Sequence, residues 1–173
     1  MTERESRQLE GQTAVIIGAQ GQVADSISEA FAREGAFIYL TALDTLCLHE
    51  TEARTKGTAG FDAVGVETLE LDPSDEQQIK DVASTIGAKR KTVEVLVLCN
   101  VEYEQAWAVV VGFKELYGEA TKILVIQDPE MGDRSSWVKG LGPCAQLIKL
   151  ANEDTMDEFD PGLIVLGALH NEA

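Results

Sequence analysis

GAQGQVADSISEAFAREGA, residues 18–36, is the stretch that decides the fold. An apolar run, Thr13-Ala14-Val15-Ile16-Ile17, precedes it, and a second, Phe37 to Ala42, follows Gly35-Ala36. Inside it Val23, Ile27, Ala30 and Phe31 recur at helical spacing and share one face. Strand, turn, helix, strand is the opening of a parallel βαβ unit. In the phosphate-binding form of that unit one glycine makes the tight turn. A second brings the backbone against a pyrophosphate, and a third lets helix and strand pack closely. Gly18 stands at the first position, but Gln22 and Ala24 stand at the later two, and Gly21 offers a shifted turn. The element order is kept while the phosphate contact is damaged.

The alternation runs on to the end of the chain. A weaker helix is expected at 44–55, then a strand from Val64 to Leu71. Asp72-Pro73-Ser74-Asp75-Glu76-Gln77 opens a helix with a Ser-x-x-Gln capping box, and Ile79, Val82, Ala83 and Ile86 form its buried stripe. Val93 to Cys99 is continuously apolar, as a strand covered on both faces should be. A helix over 102–118 stopped by Gly118, a strand from Lys122 to Gln127, a helix over 143–153 with Pro143 in its first turn, and a strand from Leu163 to Leu169 complete the reading. Strands separated by helices predict an α/β, Rossmann-like doubly wound parallel sheet of six strands in the order 3-2-1-4-5-6. One domain over 1–173 is expected, with 1–10 a polar, flexible N-terminal segment.

Thirty acidic against 14 basic residues give a net charge of −16, a surface that repels phosphate backbones and anionic headgroups. Nucleic acid and membrane partners are therefore not expected. Cys47, Cys99 and Cys144 are far apart and form no CxxC pair, which reads as free thiols in a reducing cytoplasm. His49 and His170 have no neighbouring ligands at metal spacing, so no metal site is expected. Neither a Gly-x-Ser-x-Gly elbow nor a Walker lysine occurs.

From about Leu9 to His170 the layout resembles the short-chain dehydrogenase/reductase family. The distance from Gly18 to Gly35-Ala36, the Leu71-Asp72 pair after the third strand and the fourth strand at Val93–Cys99 carry the resemblance. The family's glycine motif reads Thr-Gly-x-x-x-Gly-x-Gly; this chain has Ile17-Gly18-Ala19-Gln20-Gly21-Gln22-Val23-Ala24. Where NAD-dependent members place an acid after the second strand, it has Thr41 and Ala42; Asp44 falls two residues later, where it suits a helix cap. Asp72 matches the family's adenine-side aspartate and could equally cap the turn at Pro73. The Asn-Asn-Ala-Gly of the family is replaced by Leu98-Cys99-Asn100-Val101, and Gln127-Asp128 aligns with its catalytic serine. The best match to Tyr-x-x-x-Lys is Ser135-Ser136-Trp137-Val138-Lys139, with serine where the phenol belongs. Loss of such a general acid/base typically costs about 10² to 10⁴ in rate. Pro143 places the next helix after Lys139, leaving Ser135 to Lys139 in a loop with Lys139 a surface residue. The resemblance implies a C-terminally truncated member, expected to lack the family's substrate lid and seventh strand.

What the resemblance implies is a degenerate member with no catalytic residue of its own. The remnant Gly18, Gly21, Gln22, Ala24 and Asp72 is not expected to hold a cofactor, and NAD is expected on a partner. From Ala106 to Phe113 the helix carries no charge, so it is apolar nearly all round, and the 143–153 stretch is similarly broad. In the family the two corresponding helices form the main subunit contact; the alternative is a thick intramolecular core. The interface so implied comprises Tyr103, Ala106, Trp107, Val110, Val111, Phe113, Lys114 and Tyr117 on the first helix, with Leu141, Ala145 and Ile148 around the second. The expectation is a non-catalytic subunit assembled with an active paralogue, as an α2β2 heterotetramer. The type is similar to the heteromeric hydroxyacyl-CoA dehydrogenase of anaerobic toluene degradation. The competing readings are an NAD(P)-binding oxidoreductase with a rearranged site at Asp128, Ser135 and Lys139, and a nucleotide-sensing module.

Overall fold

The computed structural model describes residues 7–59, 65–127, 133–149 and 161–170. Among them, parallel strands form one six-stranded sheet in the order β3-β2-β1-β4-β5-β6. The strands are β1 (Thr13–Ile17), β2 (Phe37–Ala42), β3 (Val66–Glu70), β4 (Val93–Leu98), β5 (Tyr117–Gln127) and β6 (Ala145–Lys149). The helices are α1 (Gln22–Arg33), α2 (His49–Ala59), α3 (Glu76–Lys89), α4 (Tyr103–Gly112), α5 (Ser135–Leu141) and α6 (Pro161–His170). The expected strand order holds.

Side chains alternate across the central strands and fill two cores. Ala14 and Ile16 of β1 pack with α1 and α6; Val15 and Ile17 pack with α3, α4 and α5. Helix α1 forms because its apolar positions share one face: Ile27 and Phe31 are fully buried, each contributing about 2 kcal/mol. Leu9 is also buried, and its N–H bonds Glu34 O at 2.9 Å. The chain around it is thus packed against the end of α1, within the stretch read as a flexible segment. Residues 1–6 lie outside the described residues.

Several boundaries differ from the sequence reading. Helix α3 is capped by Asp75, whose carboxylate accepts from Gln77 N at 2.9 Å and Gln78 N at 3.2 Å. The expected cap, Ser74, is turned back onto Asp72. Helix α4 ends at Gly112 and not at Gly118. Phe113 turns fully into the core, a 3₁₀ turn covers Lys114–Leu116, and Tyr117 already belongs to β5. The Tyr117 hydroxyl fastens that corner by donating to Val110 O at 2.6 Å.

The larger correction is a helix and a strand exchanged near the end. The stretch expected as a helix over 143–153 contains β6, which pairs with β5 from Ile123↔Ala145 to Gln127↔Lys149. The stretch expected as a strand, Leu163–Leu169, lies in α6. Leu150 and Ala151 lie outside the described residues. Helix α5 stands where a loop was expected, because Gly142, at φ 107, breaks it before Pro143. Pro161 then begins α6 at a position where the missing N–H costs nothing. Both exchanged segments are short apolar runs, and their number and alternation leave the sheet order unchanged.

Candidate functional site

The C-terminal ends of β1 to β4 surround a cavity of about 290 Å³. Gly18, Gln20 and Asn100 stand on one side, Ala42 and Leu43 at the end of β2, and Asp72, Pro73 and Ser74 beyond β3. Backbone geometry requires glycine at position 18. Its φ is 70°, and a β-carbon there would lie 2.2 Å from the Cys99 carbonyl oxygen. The loop is tied to its neighbours as well: Ala19 N donates to Thr41 O at 2.8 Å, and the Thr41 hydroxyl donates to Ile16 O at 3.1 Å. Asn100 completes the frame, donating through Nδ2 to Gly18 O at 2.9 Å and Gln20 O at 3.0 Å.

Gly21 precedes α1 at φ 95°, with open space where a side chain would stand, so the shifted turn forms. The N-cap residue, Gly21, has no side chain with which to cap α1, so the first amide groups point out of the helix end, the usual seat of an anion. Gln22 is exposed. Ala24 is fully buried, so the helix packs on the sheet with a methyl in place of a hydrogen. Asp25 brings a carboxylate into the same first turn, held by the Thr51 hydroxyl at 2.5 Å and by Arg54 at 3.4 Å. Asp72 accepts from Ser74 N at 2.9 Å and from its hydroxyl, and these bonds hold its carboxyl below the usual range. Its own N–H is taken by Gln78 Oε1 at 2.8 Å.

These residues fit the adenosine side of a dinucleotide: a pocket at the strand ends, a bare backbone turn and an uncapped helix. Among the described residues, Asp72 is the one charged residue lining the cavity.

The other half is built differently. Ser135 and Lys139 are brought onto α5 four residues apart, on one face, and not left in a loop. Both are exposed, and the Ser135 hydroxyl is bonded to Asp133, whose carboxyl it pulls down. None of the three tyrosines in the sequence has a lysine four residues on. Asp128 lies outside the described residues.

Beside α5 a stack fills the space. Arg134, 4% exposed, lays its guanidinium 4.2 Å over the Trp137 ring, and its N–H bonds Gln127 Oε1 at 3.0 Å. Tyr103 meets Trp137 edge-on with centroids 5.5 Å apart. Its hydroxyl occupies the room beside Gly140, where a β-carbon would come within 2.1 Å. Burial pushes the Cys99 thiol up to about 12, with the nearby Arg134 charge acting the other way. The sequence reading missed this stack and the role of Asn100. No sequence signal pointed to the stack, because packing brings Tyr103 of α4 against Trp137 of α5.

The residues expected at an interface divide sharply. Tyr103, Trp107 and Val111 are 37%, 48% and 43% exposed and follow one another at four-residue spacing along α4. Lys114 is exposed too, and Tyr117 and Ala145 are half-buried. Ala106, Val110, Phe113, Leu141 and Ile148 face the chain's own core. Among the described residues, no three His, Cys, Asp or Glu side chains gather as metal ligands, and no helix is long and apolar enough to cross a membrane. His49 is exposed; the His170 side chain lies outside the described residues.

Comparison with known proteins gives the same direction. A short-chain dehydrogenase/reductase, dpmpG, of Macrophomina phaseolina is 32% identical over 93 residues, 54% of this chain and 51% of that protein. An uncharacterised oxidoreductase, YxbG, of Bacillus subtilis is 32% identical over 88 residues, 51% of this chain and 31% of that protein. Over about half of its length this chain is similar to short-chain dehydrogenases/reductases. The aligned part spans about half of the first relative and a third of the second. No family model matches the chain. Among solved structures, a metagenomic short-chain oxidoreductase in complex with NADP superposes at TM-score 0.64 and 19% identity, covering 95% of this chain and 93% of that one. Pseudomonas aeruginosa RhlG with NADP also gives 0.64, at 13% identity, over 88% and 78%. At these identities the superpositions establish the shared fold.

Proposed function

We propose that this chain is a non-catalytic subunit of an oxidoreductase of the short-chain dehydrogenase type, supporting an active relative through the outer face of α4. One observation carries the reading. The helix on which a phenol would stand four residues before Lys139 bears Ser135 instead, exposed and tied to Asp133. A serine hydroxyl has no pKa near neutrality with which to move the proton of an alcohol. The exposed stripe of Tyr103, Trp107 and Val111 offers a partner a contiguous apolar surface along α4. The active subunit carries the NAD, in an α2β2 assembly acting in the cytoplasm. The heteromeric 2-[hydroxy(phenyl)methyl]succinyl-CoA dehydrogenase of anaerobic toluene degradation is the finer assignment within this reading. Co-expression with an intact short-chain dehydrogenase tests it: one stable complex is expected, lost in Trp107→Glu. A chain that stays monomeric and turns over an alcohol alone sinks the reading.

The open cavity at Gly18 and Asp72 favours a second reading, an NAD(P)-binding oxidoreductase or nucleotide-sensing module with a rearranged site. Calorimetric titration with NAD and NADP separates the two. Micromolar binding supports the second reading, and turnover without a partner distinguishes an enzyme from a sensor.

A further inference from the structure

A second hollow lies away from the strand ends, between α3 and α4. Two cavities of about 390 and 520 Å³ share Lys80 and Gly112 and so adjoin along one groove between the helices. Its α3 wall runs from Glu76 to Ala88, about 18 Å at 1.5 Å per residue, or three turns of a facing helix. Trp107 and Val111 open into it while remaining 48% and 43% exposed.

We propose that this groove docks an amphipathic helix of a partner protein whose apolar face is flanked by lysine and arginine. The proposal rests on the supporting-subunit reading and names the chemistry that the partner presents. Charge selects the occupant. Glu76, Glu104 and Glu115 line the groove against one ammonium, Lys80. None of these carboxylates takes part in an ion pair among the described residues. A second copy of the chain would bring the same net charge of −16 to the contact. A basic-flanked helix neutralises the rim, and the methylene stems of its lysines and arginines cover the apolar edge. The groove therefore favours a different protein over self-association, and a helix over a strand, since two helices and no sheet edge form its walls.

The test uses the full chain and a displayed library of helical peptides with a fixed leucine stripe and randomised flanks. Selection should enrich lysine and arginine at the flanks. Selected helices should protect amides of 76–88 and 104–112 from hydrogen exchange, and should bind about tenfold more weakly when salt shortens the screening length from about 10 to 3 Å. Ser84→Trp fills the groove and Glu115→Lys reverses its rim. Both positions are exposed, and circular dichroism checks that both variants fold. Each should weaken binding at least about tenfold, a loss of the size one desolvated contact accounts for. Enrichment of acidic or neutral flanks, or binding indifferent to both variants, overturns the proposal. A dehydrogenase that associates equally well with both variants refutes the groove and leaves the subunit reading standing. Basic helices seated in the groove, with no dehydrogenase partner, do the reverse.

Discussion

The side-chain amide of Asn100 donates to the carbonyl of Gly18 at 2.9 Å, so the end of the fourth strand holds the first turn. Asn100 itself adopts a left-handed backbone, φ 49°, which asparagine tolerates better than most residues. Asn100→Ala removes two hydrogen bonds and strains the backbone, an expected loss of about 2–3 kcal/mol. Asn100→Gly removes the bonds alone and should lose about half of that. Chemical denaturation of the two variants measures the difference. Equal losses would show that the backbone angle contributes nothing.

Gly18 and Gly21 should respond unequally to alanine. At position 18 the new methyl meets the Cys99 carbonyl oxygen at 2.2 Å, backbone against backbone, and neither can move freely. Position 21 shares the positive φ but has nothing within 4 Å. Gly18→Ala is expected to lose at least about 3 kcal/mol or fail to fold, and Gly21→Ala about 1 kcal/mol. Thermal unfolding of both proteins checks the order.

Alkaline pH should weaken the fold. Burial raises the Cys99 thiol to about 12, and it raises the Tyr117 phenol above its ordinary range. Both groups stay neutral in the folded chain while their unfolded counterparts ionise, so the unfolded state holds fewer protons. The stabilisation is complete below the ordinary thiol and phenol values, and it declines from about pH 9 upward. Cys99→Ala should flatten the first part of that decline in urea titrations at stepped pH. In the native protein at pH 8, a thiol reagent should label Cys47 and Cys144, which are exposed, and reach Cys99 only on unfolding.

Tyr39 is buried in β2, and its hydroxyl has no hydrogen-bond partner among the described residues. Removing an unsatisfied buried group stabilises, so Tyr39→Phe should raise stability by about 1 kcal/mol. A loss of that size in a denaturant titration would reveal a partner for the phenol in solution.

The central sheet was legible because β1, β2 and β4 are apolar runs bounded by polar turns, a pattern that a strand buried on both faces imposes. The ends of the chain were less so. Cys144 to Leu150 and Leu163 to Leu169 are apolar runs too short for period to separate strand from helix. Gly142 before Pro143, and Pro161 at the head of α6, were the residues that arbitrated. For the site, Gly18 could be placed from its spacing after the first strand, and Asp72 from the family resemblance at the end of the third. The Arg134–Trp137–Tyr103 stack could not, because it joins residues of separate elements that only packing brings together.

The latch from Asn100 also changes what drift in the glycine motif means. Where a turn is written by the strand beside it, its own letters are free to wander while the curve of the backbone persists. Chains of this kind hide from searches keyed to three glycines, and they are found by asking instead which neighbour holds the loop in shape.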